Sequence, residues 1–376
     1  MEKIGIICEY NPFHNGHLYH IEKIKEMYPD SLIVLVMSSS FTQRGDISIL
    51  NKWEKTDIAL HNKIDLVVEL PFEFSTQSAD IFAKGAIGIL KELKVDKLIF
   101  GSESNNKDEL INIANIQLNN KEYDQLVKKY LDKGENYPTS LSKALKDICG
   151  NTINLPNDLL GLSYVKEIIK QNANIEPITI KRTNDFHNKE LNNDIVSASA
   201  IRNNLNDKNL KDYVPEITYN YLKEKENNNN YFSYLKYKIL TEQELIEKYQ
   251  TVDEGIHHRI LKYIENVNSK EELIEKIKTK RYTYNKLNRM FTHILCGFAK
   301  ENAKDIKIKY IRVLGFNKQG INYLNKIKKE IELPIITNIK KEYNYLLEQE
   351  IKIDKIYSLI MNDKNNNYKN KPIKKD

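Results

Sequence analysis

Two histidines, His14 and His17, bracket Gly16 in the run Asn11-Pro12-Phe13-His14-Asn15-Gly16-His17. An apolar stretch over residues 4–8 precedes the run. Residues 17–27 follow it with helical spacing, Leu18, Ile21 and Ile24 sharing one face. A strand-to-helix turn of this make-up suits phosphate chemistry. The first turn of a helix offers free N–H groups and partial positive charge to an anion. Gly16 lets the backbone approach a ligand. Two imidazoles can donate hydrogen bonds to phosphate oxygens as charge builds during attack at phosphorus. The plain alternative is two surface histidines at a helix start. One such residue would be unremarkable; two around a glycine after an opening strand favour the functional reading.

A second constellation is Val196-Ser197-Ala198-Ser199-Ala200-Ile201-Arg202. Two small hydroxyl residues before a helix can cap it and contact phosphate, and Arg202 presents a planar fork to the same group. Alone it reads as an ordinary capped helix with a surface arginine. Beside the histidine turn it reads as a second part of one phosphate site. His257-His258 reads as exposed helix.

These residues need a scaffold. Short apolar runs at 4–8, 32–37, 65–70, 97–100 and 175–180 read as strands, with helical patterns at 53–60 and 83–93 and another starting near Ser199. Continuous apolar strands separated by helices predict an α/β fold, a Rossmann-like doubly wound parallel sheet, with ligands beyond the carboxyl ends of its strands. The polar stretch 205–219, containing Pro215, is read as a boundary between a catalytic domain over residues 1–213 and a mainly helical, basic C-terminal domain over 214–361. In the latter, 241–249, 256–266, 270–280 and 323–331 read as helix and 309–314 as a strand. Residues 227–230, all Asn, read as a loop, and the Asn/Lys-rich tail 362–376 is expected to be disordered.

The chain's 376 residues suggest about two domains. From Glu216 onward it carries 32 Lys and Arg against 22 Asp and Glu, net +10, while the preceding part is net −4. A basic half joined to a slightly acidic one fits a catalytic domain with a polyanion-binding partner, or equally a lysine-rich solvated surface. No run of 18 apolar residues predicts a membrane span. Cys8, Cys149 and Cys296 form no metal-binding pair and no disulfide framework, so three reduced thiols in a cytoplasmic protein are expected.

The histidine turn with the downstream Ser-x-Ser-x-Ile-Arg resembles the HIGH-signature nucleotidyltransferase superfamily, which shares its fold with class I aminoacyl-tRNA synthetases. The wider context is Cys8-Glu9-Tyr10 before that turn, Phe41-Thr42-Gln43-Arg44-Gly45, Asn51-Lys52-Trp53, Asp65 to Pro71, Phe100-Gly101-Ser102-Glu103, Leu155 to Gly161 and Ile180-Lys181-Arg182. It is similar to the tRNA(Met) cytidine acetate ligase family, strongly over about the first 200 residues and more weakly at Arg312 to Phe316 and Pro334 to Asn338. Ser39-Ser40 stand where that family often has Gly-Asn, and Thr183 to His187 lacks its usual glycine.

The resemblance implies an enzyme that activates acetate with ATP as acetyl-adenylate and acetylates N4 of the wobble cytidine of elongator tRNA(Met). Mg²⁺ is expected to arrive with ATP, no dedicated metal site being visible. The implied ATP site comprises Ile7, Cys8, Glu9, Tyr10, Asn11, Pro12, Phe13, His14, Asn15, Gly16, His17, Leu18, Tyr19 and His20, then Gly101, Asn157, Arg182, Thr183, Ser197, Ser199 and Arg202. His14 and His17 are the catalytic pair. Arg44 could meet acetate or tRNA phosphate, and Arg281, Arg289 and Arg312 are candidate tRNA phosphate contacts. The alternatives are an adenylyltransferase acting on a phosphorylated metabolite and a non-catalytic RNA-binding scaffold. The basic second half argues against the first, and the intact histidine, serine and arginine set against the second.

Overall fold

The computed structural model describes residues 1–150, 152–182, 196–225, 230–279, 281–364 and 367–376. Eight strands form one sheet: β1 (Lys3–Cys8), β2 (Leu32–Ser38), β3 (Leu66–Leu70), β4 (Lys97–Ser102), β5 (Glu176–Lys181), β6 (Ile311–Phe316), β7 (Ile335–Ile336) and β8 (Ile373–Lys374). Their order is β5-β4-β1-β2-β3-β6-β7, with β8 also beside β6. The first five run parallel, as expected of a doubly wound sheet. The chain leaves β1 for β2 on one side and later takes up β4 on the other. Connections at the carboxyl ends of β1 and β4 therefore diverge and open a crevice.

Every residue of β2 is buried, because the strand feeds a core on each face. Leu32, Val34 and Val36 join Phe82, Ile87 and Leu90 of the helix Ala79–Glu92. Ile33, Leu35 and Met37 join Ile21 and Ile24 of the helix Asn15–Met27. Two buried faces explain an unbroken apolar run in place of alternation. A third core is built mostly from the helices Tyr231–Thr241, Ile256–Tyr263, Lys270–Ile277, Tyr284–Cys296 and Asn344–Ile360, and it receives Phe41 from the loop after β2 and Phe72 from the short helix Phe72–Ser75 after β3.

The structure corrects several expectations. Strands from both sides of the division at 213/214 share one sheet. β6 pairs antiparallel with β3, and β7 and β8 pair with β6, so the second half of the chain extends the same sheet. The tail is not wholly without structure, since β8 lies within it. The helix expected at 241–249 is a 3-10 stretch, Gln243–Lys248, in which Ile246 alone is buried; a single apolar anchor gives an α-helix little to pack. The helix expected at 323–331 runs over Lys318–Ile327, starting where the Asn317 side chain accepts from Gly320 N–H. Residues 107–170, to which the sequence pattern assigns no element, hold the helices Lys107–Asn119, Lys121–Asp132, Tyr137–Cys149 and Pro156–Lys170. The asparagine loop falls almost wholly outside the described residues.

Candidate active site

β1 ends at Cys8, and the chain turns through Tyr10 at φ 46° and a cis Asn11–Pro12 bond before the helix Asn15–Met27. His14 is the N-cap of that helix. Its Nδ1 accepts from Gly16 N–H at 3.0 Å, and His17 Nδ1 accepts from His14 N–H at 3.2 Å. This is a reciprocal capping box with imidazoles in place of the usual hydroxyl and carboxylate. A ring whose Nδ1 accepts must, when neutral, carry its proton on Nε2. The backbone thereby sets one tautomer for both rings, which lie 3.9 Å apart at 31°. Neither Nε2 has a protein partner among the described residues, and both rings line the cleft described below. Burial, reinforced by the Arg182 charge, pushes His14 down to about 3 and His20 down to about 4. Burial, then the neighbouring His14 ring, hold His17 well below the usual range. All three are neutral at physiological pH.

The same geometry overturns one expectation. The first-turn amides are not free for a phosphate. Asn15 N–H goes to Tyr213 O at 3.0 Å, Gly16 N–H to His14 Nδ1, and His17 N–H to His14 O at 2.8 Å. The side chains of the turn, not its amides, are left to face the cleft. Asn11 is also spent internally, its amide accepting from Ile49 N–H at 2.9 Å and donating to Ile47 O at 3.1 Å. Pro12 and Phe13 are buried, Phe13 packing edge-on against Tyr10 with 4.7 Å between ring centroids. They set the shape of the turn rather than touching its space.

Across the crevice, Gly101 in β4 lies under Arg182. A Cβ on Gly101 would meet Arg182 Cγ at 3.0 Å and Cδ at 3.1 Å, so the missing side chain is what lets the arginine lie over the strand. Arg182 Nη1 reaches Asn157 Oδ1 at 3.5 Å. The helix Pro156–Lys170 is tied to the end of β4 by exchanged carboxylates. Glu103 accepts from Asn157 N–H and Asp158 N–H, and Asp158 accepts from Ser102 Oγ, Glu103 N–H and Ser104 N–H. Ser197 caps the short helix Ala198–Asn203 by accepting from Ala200 N–H at 3.1 Å. Ser199 is exposed in its first turn. Arg202 reaches back to the histidine turn: Nη1 donates to Asn11 O at 2.6 Å, and Nη2 lies 3.8 Å from Asp46 Oδ2. Thr183 lies outside the described residues.

These pieces surround one cleft of about 490 Å³, a volume suited to a nucleotide. It is lined by Ile7, Cys8, Glu9, Tyr10, Asn11, His14, Gly16, His17, Tyr19, His20, Arg44, Gly101, Asn157, Arg182, Ser197, Ser199 and Arg202. Pro12, Phe13, Asn15 and Leu18 of the expected segment do not line it. Burial pushes the Cys8 thiol up to about 12, making it an inert wall.

Sequence reasoning missed four features. The apolar wall joins Phe82 of the helix Ala79–Glu92, Phe100 of β4, and Leu160 and Tyr164 of the helix Pro156–Lys170. Asp46 follows the Gln43-Arg44-Gly45 loop, whose motif was the available signal. Asn285 belongs to the helix Tyr284–Cys296 and had no local signal. That helix is seated on the loop through Gly45, at φ 86°, where a Cβ would meet Arg289 N at 2.7 Å. Asn288 Nδ2 then donates to Arg44 O and Asp46 Oδ1, and Thr292 Oγ1 to Gly45 O. Lys55 is the fourth. It is 1% exposed and donates to Glu9 O, Ser38 O and Ser39 O at 3.0, 2.6 and 2.7 Å, pinning the ends of β1 and β2 together. Burial brings it down to about 7.

The arginines expected at tRNA separate. Arg44 is exposed on the cleft rim. Arg289 is half-buried behind the same loop, and burial lowers it to about 10. Arg281 is exposed, 3.5 Å from Glu254. Arg312 is no surface contact. It is 3% exposed, its Nε lies 3.4 Å from Glu69 Oε2, and Nη2 donates to Tyr368 O. Glu69 also pairs with Lys52, which pairs with Asp354 at 2.6 Å, so Arg312 belongs to a buried ion network joining sheet and helices. Among the described residues no group of three or more His, Cys, Asp or Glu could hold a metal ion. No described helix is long and apolar enough to cross a membrane.

A model of the HIGH Nucleotidyl Transferase family matches residues 1–372. The tRNA(Met) cytidine acetate ligase of Caldicellulosiruptor saccharolyticus is 40% identical over 379 residues, covering 96% of this chain and 94% of the relative. That of Anoxybacillus flavithermus is 42% identical over 360 residues, covering 90% of each. Among solved structures, Thermotoga maritima TmcAL bound with alpha-thio ATP has a TM-score of 0.88 at 29% identity, covering 100% of this chain and 99% of that one.

Proposed function

This chain belongs to the HIGH nucleotidyl transferase family and, within it, to the tRNA(Met) cytidine acetate ligases, and from that premise we propose how its cleft activates acetate with ATP and acetylates tRNA. An acetate oxygen attacks the α-phosphorus of ATP, pyrophosphate leaves, and acetyl-adenylate forms. N4 of the wobble cytidine of elongator tRNA(Met) then attacks the acetyl carbonyl and AMP leaves. The observation that carries this reading is the pair of neutral imidazoles, each with Nδ1 tied to backbone N–H and Nε2 left to the cleft. Preset donors of this kind stabilise charge that develops on phosphoryl oxygens without reorganising during the reaction.

Arg182 brings the fixed positive charge across the crevice, and Arg202 holds the turn in place while facing the same space. Tyr164, Phe82 and Phe100 supply an apolar wall suited to a base or an acetyl methyl. Mg²⁺ comes in on the phosphates. The only carboxylates lining the cleft among the described residues are Glu9 and Asp46, too few oxygen ligands for a resident cage. The target base reaches the cleft unstacked, as an anticodon-loop base can be. Arg44, Arg281 and Arg289 are the proposed phosphate contacts, and the reaction is placed in the cytoplasm, where its tRNA is.

The test is ATP–pyrophosphate exchange driven by acetate, with and without tRNA. Exchange with acetate supports the ligase. Exchange only with a phosphorylated metabolite would move the protein to the adenylyltransferases, and none under any condition would leave a scaffold. Nucleoside analysis of elongator tRNA(Met) from a deletion strain then reads the product.

A further inference from the structure

The acetyl-transfer step leaves a proton to be placed. N4 of cytidine attacks as a neutral amine whose lone pair is partly drawn into the ring. As the N–C bond forms, nitrogen gains positive charge, and the product amide requires loss of one N–H proton. The departing AMP takes the electrons of the broken C–O bond.

The paired histidines are poor candidates. Their Nδ1 atoms already accept backbone N–H groups and their Nε2 atoms are already protonated. His20 lines the cleft, but its Nε2 is buried without a hydrogen-bond partner among the described residues, and burial lowers the ring to about 4, a weak base near neutrality. Two carboxylates line the cleft. Asp46 is engaged: Oδ1 accepts from Asn288 Nδ2 at 2.7 Å and lies 4.0 Å from Lys270 Nζ, and Oδ2 lies 3.8 Å from Arg202. Glu9 is half engaged. Its Oε1 accepts Gln43 N–H, while Oε2 has no partner among the described residues and is left to the cleft that Glu9 lines. Glu9 follows β1 directly, just before the histidine turn, and Lys55 Nζ grips its backbone carbonyl, which fixes its place in the cleft.

We propose that Glu9 is the general base of acetyl transfer, its Oε2 taking the N4 proton as the N–C bond forms. The N–H electron pair stays on nitrogen and becomes the amide lone pair, the C–O bond to the adenylate breaks, AMP departs, and the proton on Glu9 passes to water. The groups that face Glu9 are Arg44 and Asp46 from the loop after β2, Lys55 from the helix Lys52–His61, Tyr164 from the helix Pro156–Lys170, and Cys8 at the end of β1. Burial raises the Glu9 carboxyl above the usual range against the pull of Arg44 and Lys55, which makes it a better base near neutrality.

This assignment rests on the acetate-ligase reading, and the experiment separates the two. Enzyme preloaded with labelled acetyl-adenylate is mixed with tRNA(Met), and acetylcytidine is followed in a single turnover beside acetate-driven exchange. Glu9→Gln keeps the acceptor for Gln43 N–H and removes the base. Transfer should slow by about 10²–10⁴-fold, at least tenfold more than exchange does. Wild-type transfer should rise with pH to a plateau, and Glu9→Gln should lose that limb while Glu9→Asp regains part of it. Wild-type transfer and pH profile in Glu9→Gln would overturn the proposal and give the proton to the adenylate's own phosphate. Exchange falling in step with transfer would overturn it too, placing Glu9 in adenylation or in the fold. Wild-type protein with no acetate-driven exchange would sink the ligase reading itself, and this assignment with it.

Discussion

His14 holds two posts at once, and they can be separated. Its Nδ1 caps the first helix through Gly16 N–H, and its Nε2, left to the cleft, is the donor to the reacting phosphate in the proposed reaction. His14→Ala removes both. Loss of an N-cap acceptor costs about 1 kcal/mol of stability. Loss of one preset donor to a charge that builds in the transition state costs about 10²–10³ in rate, and the donor is present at assay pH because the Nδ1 contact with Gly16 N–H keeps the ring proton on Nε2. His14→Ser restores a capping oxygen on a side chain too short to cap and also occupy the place of Nε2. The serine variant should therefore unfold within a few tenths of a kcal/mol of wild type, while its acetate-dependent ATP–pyrophosphate exchange stays as low as that of the alanine variant. Both should bind tRNA(Met) nearly as wild type does in a gel shift. Recovery of exchange together with stability in His14→Ser would show that the ring serves only the helix. Lost tRNA affinity in either variant would refute the division of labour between turn and basic surface.

Other outcomes follow from the same geometry. Since His14 refuses a proton in the folded state that it accepts near pH 6.5 when unfolded, stability is lost as pH falls from 6.5 toward 3; between pH 6.5 and 5 wild type should lose about 2 kcal/mol more than His14→Ser in urea melts, and equal losses would contradict the buried neutral ring. Gly101→Val should push Arg182 off β4 and raise the KM for ATP about tenfold or more, the loss of roughly one charge-assisted contact, and an unchanged KM in exchange assays would detach Arg182 from the nucleotide. Arg312→Ala should destabilise by about 3 kcal/mol by taking from Glu69 one of its two buried cations, Lys52 remaining, with tRNA affinity of the folded protein unaltered at low temperature. Arg44→Ala should weaken tRNA binding and make the slope of log K against log salt shallower by about one; an unaltered slope would remove Arg44 from the phosphate path.

Wherever a property depends on neighbours in sequence, it was legible before any coordinates. The apolar runs of β1 to β5 carry their own burial pattern, because a strand covered on both faces must be apolar throughout. His14, Gly16 and His17 lie within one helical turn of one another, so their types and spacing alone raise the expectation of a phosphate site. Tertiary structure decided what distant segments do to those residues. Tyr213 O, some 200 positions away, takes the first helix amide and closes the expected backbone anion hole. Arg182 comes to lie over Gly101, Lys55 ties β1 to β2, and Asn285 reaches the cleft, through packing between elements whose sequences carry no mark of each other. Arg312 looked like any basic surface residue until β6 was found paired with β3, over the buried carboxylate of Glu69. A local pattern reports which face of an element is apolar; which face of which partner covers it is settled only when the whole chain packs.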